Sequence, residues 1–255
     1  MELNNSSAVV TGAASGLGAT VAAALASQGV QVVGIDLEAG VAQATEAGSV
    51  PDGVVLVAAD VTDGEAVDAA IARAVELAPL RTVVNCAGIA PSARMVGRKG
   101  AHDLGLFRKV VEVNLIGTFT VMARAAAVMA DNEPLADGVR GVVVNTASVA
   151  AFEGQVGQVA YAASKGGVHS MTIAAARDLA GVGVRVCTIA PGIVETPMMA
   201  GITQEFREEL EANVQFPKRM AAPQEYARLV QMILDHDYLN GETIRMDAAL
   251  RMPPR

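Results

Sequence analysis

Residues 7–19 read SAVVTGAASGLGA, and the fold turns on how this stretch is read. A short β-branched run is followed by glycines at 12, 16 and 18 and then by an alanine-rich stretch of helical composition. A chain that turns sharply out of a strand and presses its backbone against a bulky anion has no room for Cβ atoms at the turn. The helix that begins near Gly16 then offers unpaired N–H groups and the positive end of its dipole to that anion. The spacing Gly-x-x-x-Gly-x-Gly differs from the commoner Gly-x-Gly-x-x-Gly. Its place between a strand and a helix is what gives it meaning.

The same alternation continues along the chain. Strands are expected at 7–11, 30–35, 54–58, 81–86, 140–146, 184–190 and 243–246. Helices are expected at 16–28, 38–47, 63–77, 103–130, 158–180, 203–214 and 223–235. Most strand candidates are continuous apolar runs, the mark of strands buried on both faces. Right-handed strand–helix–strand crossovers then give an α/β fold of Rossmann type. We expect one doubly wound parallel sheet of about seven strands with helices on both faces. No long linker, repeat or low-complexity segment interrupts it, so residues 1–255 read as one domain.

Composition narrows the function classes. Acidic residues outnumber basic ones by 27 to 19, for a net charge of −8, which argues against nucleic acid or an anionic membrane as the main partner. No segment reaches the about 18 uninterrupted apolar residues of a membrane span. The two cysteines, Cys86 and Cys187, lie in apolar runs without metal-ligand spacing, so buried free thiols and a reducing compartment are expected and no metal site is. The start MELNNSSAVV lacks the basic and apolar regions of a signal peptide. A cytoplasmic protein is the expectation.

In doubly wound sheets, ligands sit beyond the carboxyl ends of the strands. Gly12, Gly16 and Gly18 close the first strand, and Asp36 closes the second, 24 residues after Gly12. A carboxylate there accepts from adenosine ribose hydroxyls and repels a 2′-phosphate. No Lys or Arg stands in the glycine loop or beside Asp36, so NAD(H) is expected over NADP(H). Asp60-Val61 closes the third strand, where a carboxylate and a backbone amide suit an adenine edge. Cys86, Ala87 and Gly88 close the fourth, small enough for the chain to run close to a cofactor. Ser148 and the Pro191-Gly192 turn follow at later strand ends. Each of these alone also fits ordinary turn chemistry.

Taken together, the motifs resemble the short-chain dehydrogenase/reductase family. They are TGAASGLG (11–18), Asp60, NCAG (85–88), Asn114 in VNLIGTF, Ser148 in NTASVAA, YAASK (161–165) and PG (191–192), in the family's order across the chain. The resemblance implies a single NAD-binding domain and an alcohol–ketone oxidoreductase. Physical chemistry supports the same site. A free phenol with pKa about 10 is a poor base at neutral pH. Lys165, four residues after Tyr161, shares its helix face and favours the phenolate. Tyr161 is thus the candidate general acid/base, and Lys165 its partner and a ligand of the nicotinamide ribose. Ser148, 13 residues before Tyr161, can donate to the substrate oxygen. Asn114, on the family's pattern, holds a water joining Lys165 to solvent; as plain chemistry it also fits a buried, backbone-bonded asparagine.

A narrower resemblance runs through NTASVAAFEGQVGQVAYAASKGGV (145–168), NEP (132–134), APGIVETPM (190–198) and LNGETIRMDAALRM (239–252). It points to a branch of the family that oxidises the 3-hydroxyl of short or branched hydroxyacyl-CoA thioesters, with some activity on hydroxysteroids. The likeness implies a homotetramer. It also implies cofactor contacts at Ser15, Leu17, Asp36, Asp60, Val61, Cys86, Tyr161, Lys165, Val194 and Thr196. Gln155 and Gln158 fall near the substrate or on an exposed polar loop. Arg81-Thr82 stands where the family often has Asp. Arg94, Arg98 and Lys99 either meet the phosphates of a CoA tail or lie in solvent. Met198, Met199 and Ile202 suit an adaptable apolar lid or ordinary packing. Other readings are a hydroxysteroid or other secondary-alcohol dehydrogenase, and a scaffold that binds NAD(H) without turnover.

Overall fold

The valine-rich runs lie side by side in one parallel sheet of seven strands. This computed structural model describes residues 3–98, 100–199 and 203–254; of Met198 and Phe206 it describes the backbone alone. Lys99 and Ile202 therefore lie outside the described residues. The strands are β1 Ser7–Thr11, β2 Gln31–Asp36, β3 Val54–Ala58, β4 Leu80–Asn85, β5 Gly141–Thr146, β6 Val184–Pro191 and β7 Thr243–Met246. Their spatial order is β3-β2-β1-β4-β5-β6-β7. The chain winds outward from β1 to β3 and then returns to β4, so the switch point lies between β1 and β4. Parallel register pairs Thr11 with Asn85, Asn85 with Asn145 and Thr146 with Ile189, which brings the carboxyl ends into line.

Burial follows position in the sheet. Every residue of β1, β4, β5 and β6 is buried. The two outer strands are wetter: β7 is half-buried throughout, and in β3 only Val54 is buried, although its sequence VVLVA reads as a fully buried run. An edge strand has a neighbour on one side only, and composition does not record which strand is at the edge.

Helices cover both faces. On one, α1 (Gly16–Ala26) and α8 (Pro223–Asp235) pack Val21, Leu25, Tyr226, Val230 and Ile233 against Val10, Val84 and Val144. On the other, α3 (Gly64–Leu77), α5 (Thr118–Ala130) and α6 (Val159–Ala180) cover Val9, Val83 and Val143. Helix α2 (Glu38–Glu46) lies by β3 and α7 (Gln204–Ala212) beyond β6. Asp63 caps α3 by accepting from the amides of Glu65 and Ala66. Pro223 opens α8, and Glu225 reaches back to the Ala222 amide. Removing a fully buried side chain such as Ile233 by substitution to Ala costs about 2–5 kcal/mol.

Two features depart from the sequence reading. Residues 103–130 form one helical run, but Glu112–Gly117 between α4 (Leu104–Val111) and α5 is wound as a π-helix. The run is long and apolar enough to cross a membrane, yet it packs on α3 and β4 with Asn114 buried, as a core helix does. A short hairpin, Val96–Gly97 with Gly100–Ala101, stands in the loop after β4. Arg81 is buried and donates to the carbonyls of Glu133 and Arg140, tying β4 to the loop that contains Asn132-Glu133-Pro134.

Candidate active site

A cleft of about 580 Å³ runs along the carboxyl ends of the strands. It is lined by Gly12, Ser15, Gly16, Leu17, Gly18, Asp36, Asp60, Val61, Cys86, Ala87, Gly88, Pro191, Gly192, Val194 and Thr196. Ser148, Gln155, Gln158, Tyr161 and Lys165 line it too. Of the expected catalytic, cofactor and substrate residues among those described, Asn114 alone is missing from the lining; Arg94 and Arg98, raised for a CoA tail, are exposed and do not line the cleft.

The glycine loop is built by close approach. Gly12 has a φ of 66°, and a Cβ there would sit 3.0 Å from the Ala87 amide nitrogen. A Cβ on Gly18 would run into the Gly12 carbonyl. Thr11 joins this loop to β4, its hydroxyl accepting from the amides of Cys86 and Ala87, each at 3.1 Å. Asp36 braces the loop from β2: one carboxylate oxygen accepts from the Ala14 amide at 2.9 Å, the other from Leu37 at 2.8 Å. Each oxygen keeps a further lone pair for a ligand hydroxyl. Asp60 accepts from the amide and hydroxyl of Thr62, which hold its carboxyl below the usual range, with the Lys109 charge helping. Lys109 and Lys165 are the cations lining the cleft among the described residues. This cradle fits an extended dinucleotide whose adenosine ribose carries no extra phosphate.

The chemical end rests on β5, the turn after it, and α6. Ser148 begins a 3-10 turn, Val149–Ala151, and its hydroxyl accepts from the Ala150 amide at 3.1 Å. That cap fixes the side chain and leaves its own proton free to be donated. The Tyr161 phenol hydrogen-bonds with Ser148, which lowers its pKa, but burial dominates and pushes the phenol up. Lys165 is buried too; its ammonium donates to the Thr146 carbonyl at 2.7 Å and lies 5.9 Å from the Tyr161 ring centre. Burial brings the Lys165 pKa down to about 8. The pair thus sits with both charged forms disfavoured, and Ser148, not Lys165, is the group drawing the phenol's pKa down here.

Three hydrogen bonds hold the Asn114 side chain. Its Oδ1 accepts from the Ile89 amide at 2.8 Å, and its Nδ2 donates to the Ile89 carbonyl and to Ser164 Oγ at 2.8 and 3.1 Å. It clamps the loop after Gly88 to the start of α6, as the backbone-bonded reading has it, and the π-helical turn carries it there. Cys187 is buried as expected, whereas Cys86 is half-buried and lines the cleft, its thiol pushed up to about 11 by burial. Behind it, Thr146 Oγ1 and the Tyr226 hydroxyl are 2.7 Å apart. Gln155 and Gln158 face the cleft, yet Gln158 Oε1 accepts from the Gln155 amide and Gln155 Nε2 donates to the Pro253 carbonyl. Met199 lines the cleft, while Ile202 and the Met198 side chain lie outside the described residues. Leu210, Met252, Lys109 and the Thr146 carbonyl complete the surroundings without having been expected. Nothing near Met252 or Leu210 in sequence marks them; Thr146 closes β5 two residues before Ser148, and that position is the signal that could have found it.

A glycine cradle at the switch point and a Ser-Tyr-Lys set beside it define an oxidoreductase of nucleotide-binding fold. The short chain dehydrogenase family model matches residues 6–207, and the chain belongs to that family. It is 48% identical over 250 residues to the rat 3-hydroxyacyl-CoA dehydrogenase type-2, covering 97% of this chain and 95% of the rat protein. The fruit fly (Drosophila melanogaster) protein of that name is 47% identical over 257 residues, 99% of this chain and all of its own. A crystal structure of 3-hydroxyacyl-CoA dehydrogenase type-2 from Mycobacterium avium superposes with a TM-score of 0.93 at 41% identity, covering 98% of both chains. The protein is a dehydrogenase acting on a small molecule.

Proposed function

We propose that the chain interconverts 3-hydroxyacyl-CoA and 3-ketoacyl-CoA with NAD(H). The observation that carries the reading is the convergence of Ser148, Tyr161 and Lys165 at the end of the cleft that the glycine loop opens. The full-length likeness to proteins named for 3-hydroxyacyl-CoA supports the substrate class. The nicotinamide, when bound, supplies the acceptor or donor of the hydride. In the oxidative direction the substrate hydroxyl gives its proton to Tyr161 Oη while its carbon gives up the hydride, and the C–O bond becomes a carbonyl. Ser148 Oγ donates to that oxygen and stabilises the charge it carries on the way. Lys165 balances the phenolate and holds the ribose. Asn114 keeps the Ile89 loop and α6 in register. Asp36 selects NAD(H) over NADP(H). A homotetramer in the cytoplasm completes the proposal, on family likeness and the reduced cysteines.

The test compares initial rates on 3-hydroxybutyryl-CoA and a 17β-hydroxysteroid at matched concentrations with NAD. The reading expects the thioester to be preferred; a steroid preference would overturn it. An absence of turnover with both, with NADH bound, would favour a non-catalytic NAD-binding scaffold.

A further inference from the structure

Beyond β7 the segment Asp247–Pro254 folds back across the mouth of the chemical end. It is held at several points. Arg245 makes two hydrogen bonds to Glu153, at 2.9 and 3.0 Å, and one to Asp247 at 2.7 Å. Arg251 pairs with Asp247 at 3.1 Å and Glu153 at 3.3 Å. Leu250 is fully buried, and the Arg245 guanidinium lies 4.9 Å from the Phe152 ring, at the end of the Ser148 turn. The Val156 amide donates to the Pro254 carbonyl at 3.0 Å, and Gln155 Nε2 to the Pro253 carbonyl at 3.1 Å. On the other side, the Gln215 amide, just beyond α7, donates to the Ala248 carbonyl. The segment is a strap joining the loop before Tyr161 to the region after α7.

This anchoring has one result inside the cleft: Met252, next to the pinned Pro253, forms part of its wall. Met199 and Leu210 also line the cleft, and the two methionines are unbranched, flexible apolar side chains. Arg245, in β7, and Arg251, in the strap, are both paired with Glu153 and Asp247, so among the described residues Met252 offers an apolar contact beside guanidinium groups already engaged.

We propose that Met252 is a specificity-determining residue that sets the acyl length the site accepts, and that Gln155 is a positioning residue that holds it there through Pro253. This deepens the function proposed above and rests on it. An acyl chain extended by one or two methylenes meets the Met252 thioether, and a pocket wall distinguishes such neighbours by about tenfold or more.

The experiment measures kcat/KM for acetoacetyl-CoA, 3-ketohexanoyl-CoA and 3-ketooctanoyl-CoA, with KM for NADH, in the parent and in Met252→Ala, Met252→Phe, Met252→Leu and Gln155→Ala. Met252→Ala should raise the octanoyl-to-acetoacetyl ratio by about tenfold and Met252→Phe should lower it as much. Met252→Leu should keep the parent ratio. Gln155→Ala should move the ratio in the direction of Met252→Ala. Equal losses on all three substrates, or an altered KM for NADH in place of an altered ratio, would overturn the assignment. A parent inactive on the whole series would overturn the substrate reading first and this inference with it; an active parent with an unmoved ratio would overturn this inference alone.

Discussion

The two ends of the cleft are built differently. The cofactor end is a matter of backbone: Gly12 and Gly18 allow the chain to approach itself and the end of β4, and Thr11 and Asp36 brace that approach through amides. The chemical end is a matter of side chains brought from β5, α6, α7 and the strap, with burial shifting their proton affinities. A backbone site tolerates no added atom. A side-chain site can be retuned, so change of substrate should arise at one end while the other stays fixed.

The largest expected effect is at the backbone end. Gly18→Val places atoms where the Gly12 carbonyl lies, so NADH binding followed by fluorescence and turnover should both be lost, by 10³-fold or more on the order of a complete site knockout. Binding close to the parent's would mean that close approach does not shape this loop.

Next comes pH. Oxidation needs the Tyr161–Lys165 pair one proton short, as phenolate beside ammonium, and the pair gives up that proton as a unit; burial, which brings Lys165 down to about 8, sets where it does so. Oxidative kcat/KM should therefore rise about tenfold per pH unit below about 8 and level off above it. Reduction needs the pair loaded, so its kcat/KM should be level below about 8 and fall above. Profiles with the same slope in both directions would contradict this.

The smallest effect concerns coenzyme choice. The parent should favour NADH, and Asp36→Asn should raise kcat/KM with NADPH by about tenfold by removing the repelling charge. Asn has one acceptor oxygen where Asp36 uses two, so it can accept from Ala14 or Leu37 but not from both, and kcat/KM with NADH should fall. A parent that prefers NADPH would sink the assignment of Asp36.

This contrast also explains what was legible beforehand. The cradle is local: its glycines stand within seven residues, and Asp36 ends the next strand. Strand positions came within about a residue because continuous valine runs mark a buried parallel sheet. Tyr161 and Lys165 were legible because four residues make one helical turn, and Ser148 because it follows a strand. The π-helical turn at Glu112–Gly117 left no trace, since it shifts backbone hydrogen bonds under an ordinary helical sequence. Met252 and Leu210 were hidden because their arrival at the cleft depends on where β7 and α7 deliver the chain. Gln155 stands in a loop whose polar composition suits a site or an exposed turn alike, and its bond to Pro253 depends on a residue 98 positions away.

The central claim is that Tyr161 moves the proton. The most direct measurement compares Tyr161→Phe with the parent for NADH-dependent reduction of acetoacetyl-CoA, with NADH affinity measured on the same preparations. The phenyl ring keeps the packing and loses the hydroxyl, so affinity should stay within about threefold and kcat should fall by about 10²–10⁴-fold. Turnover at the parent's rate with NADH bound would contradict the account.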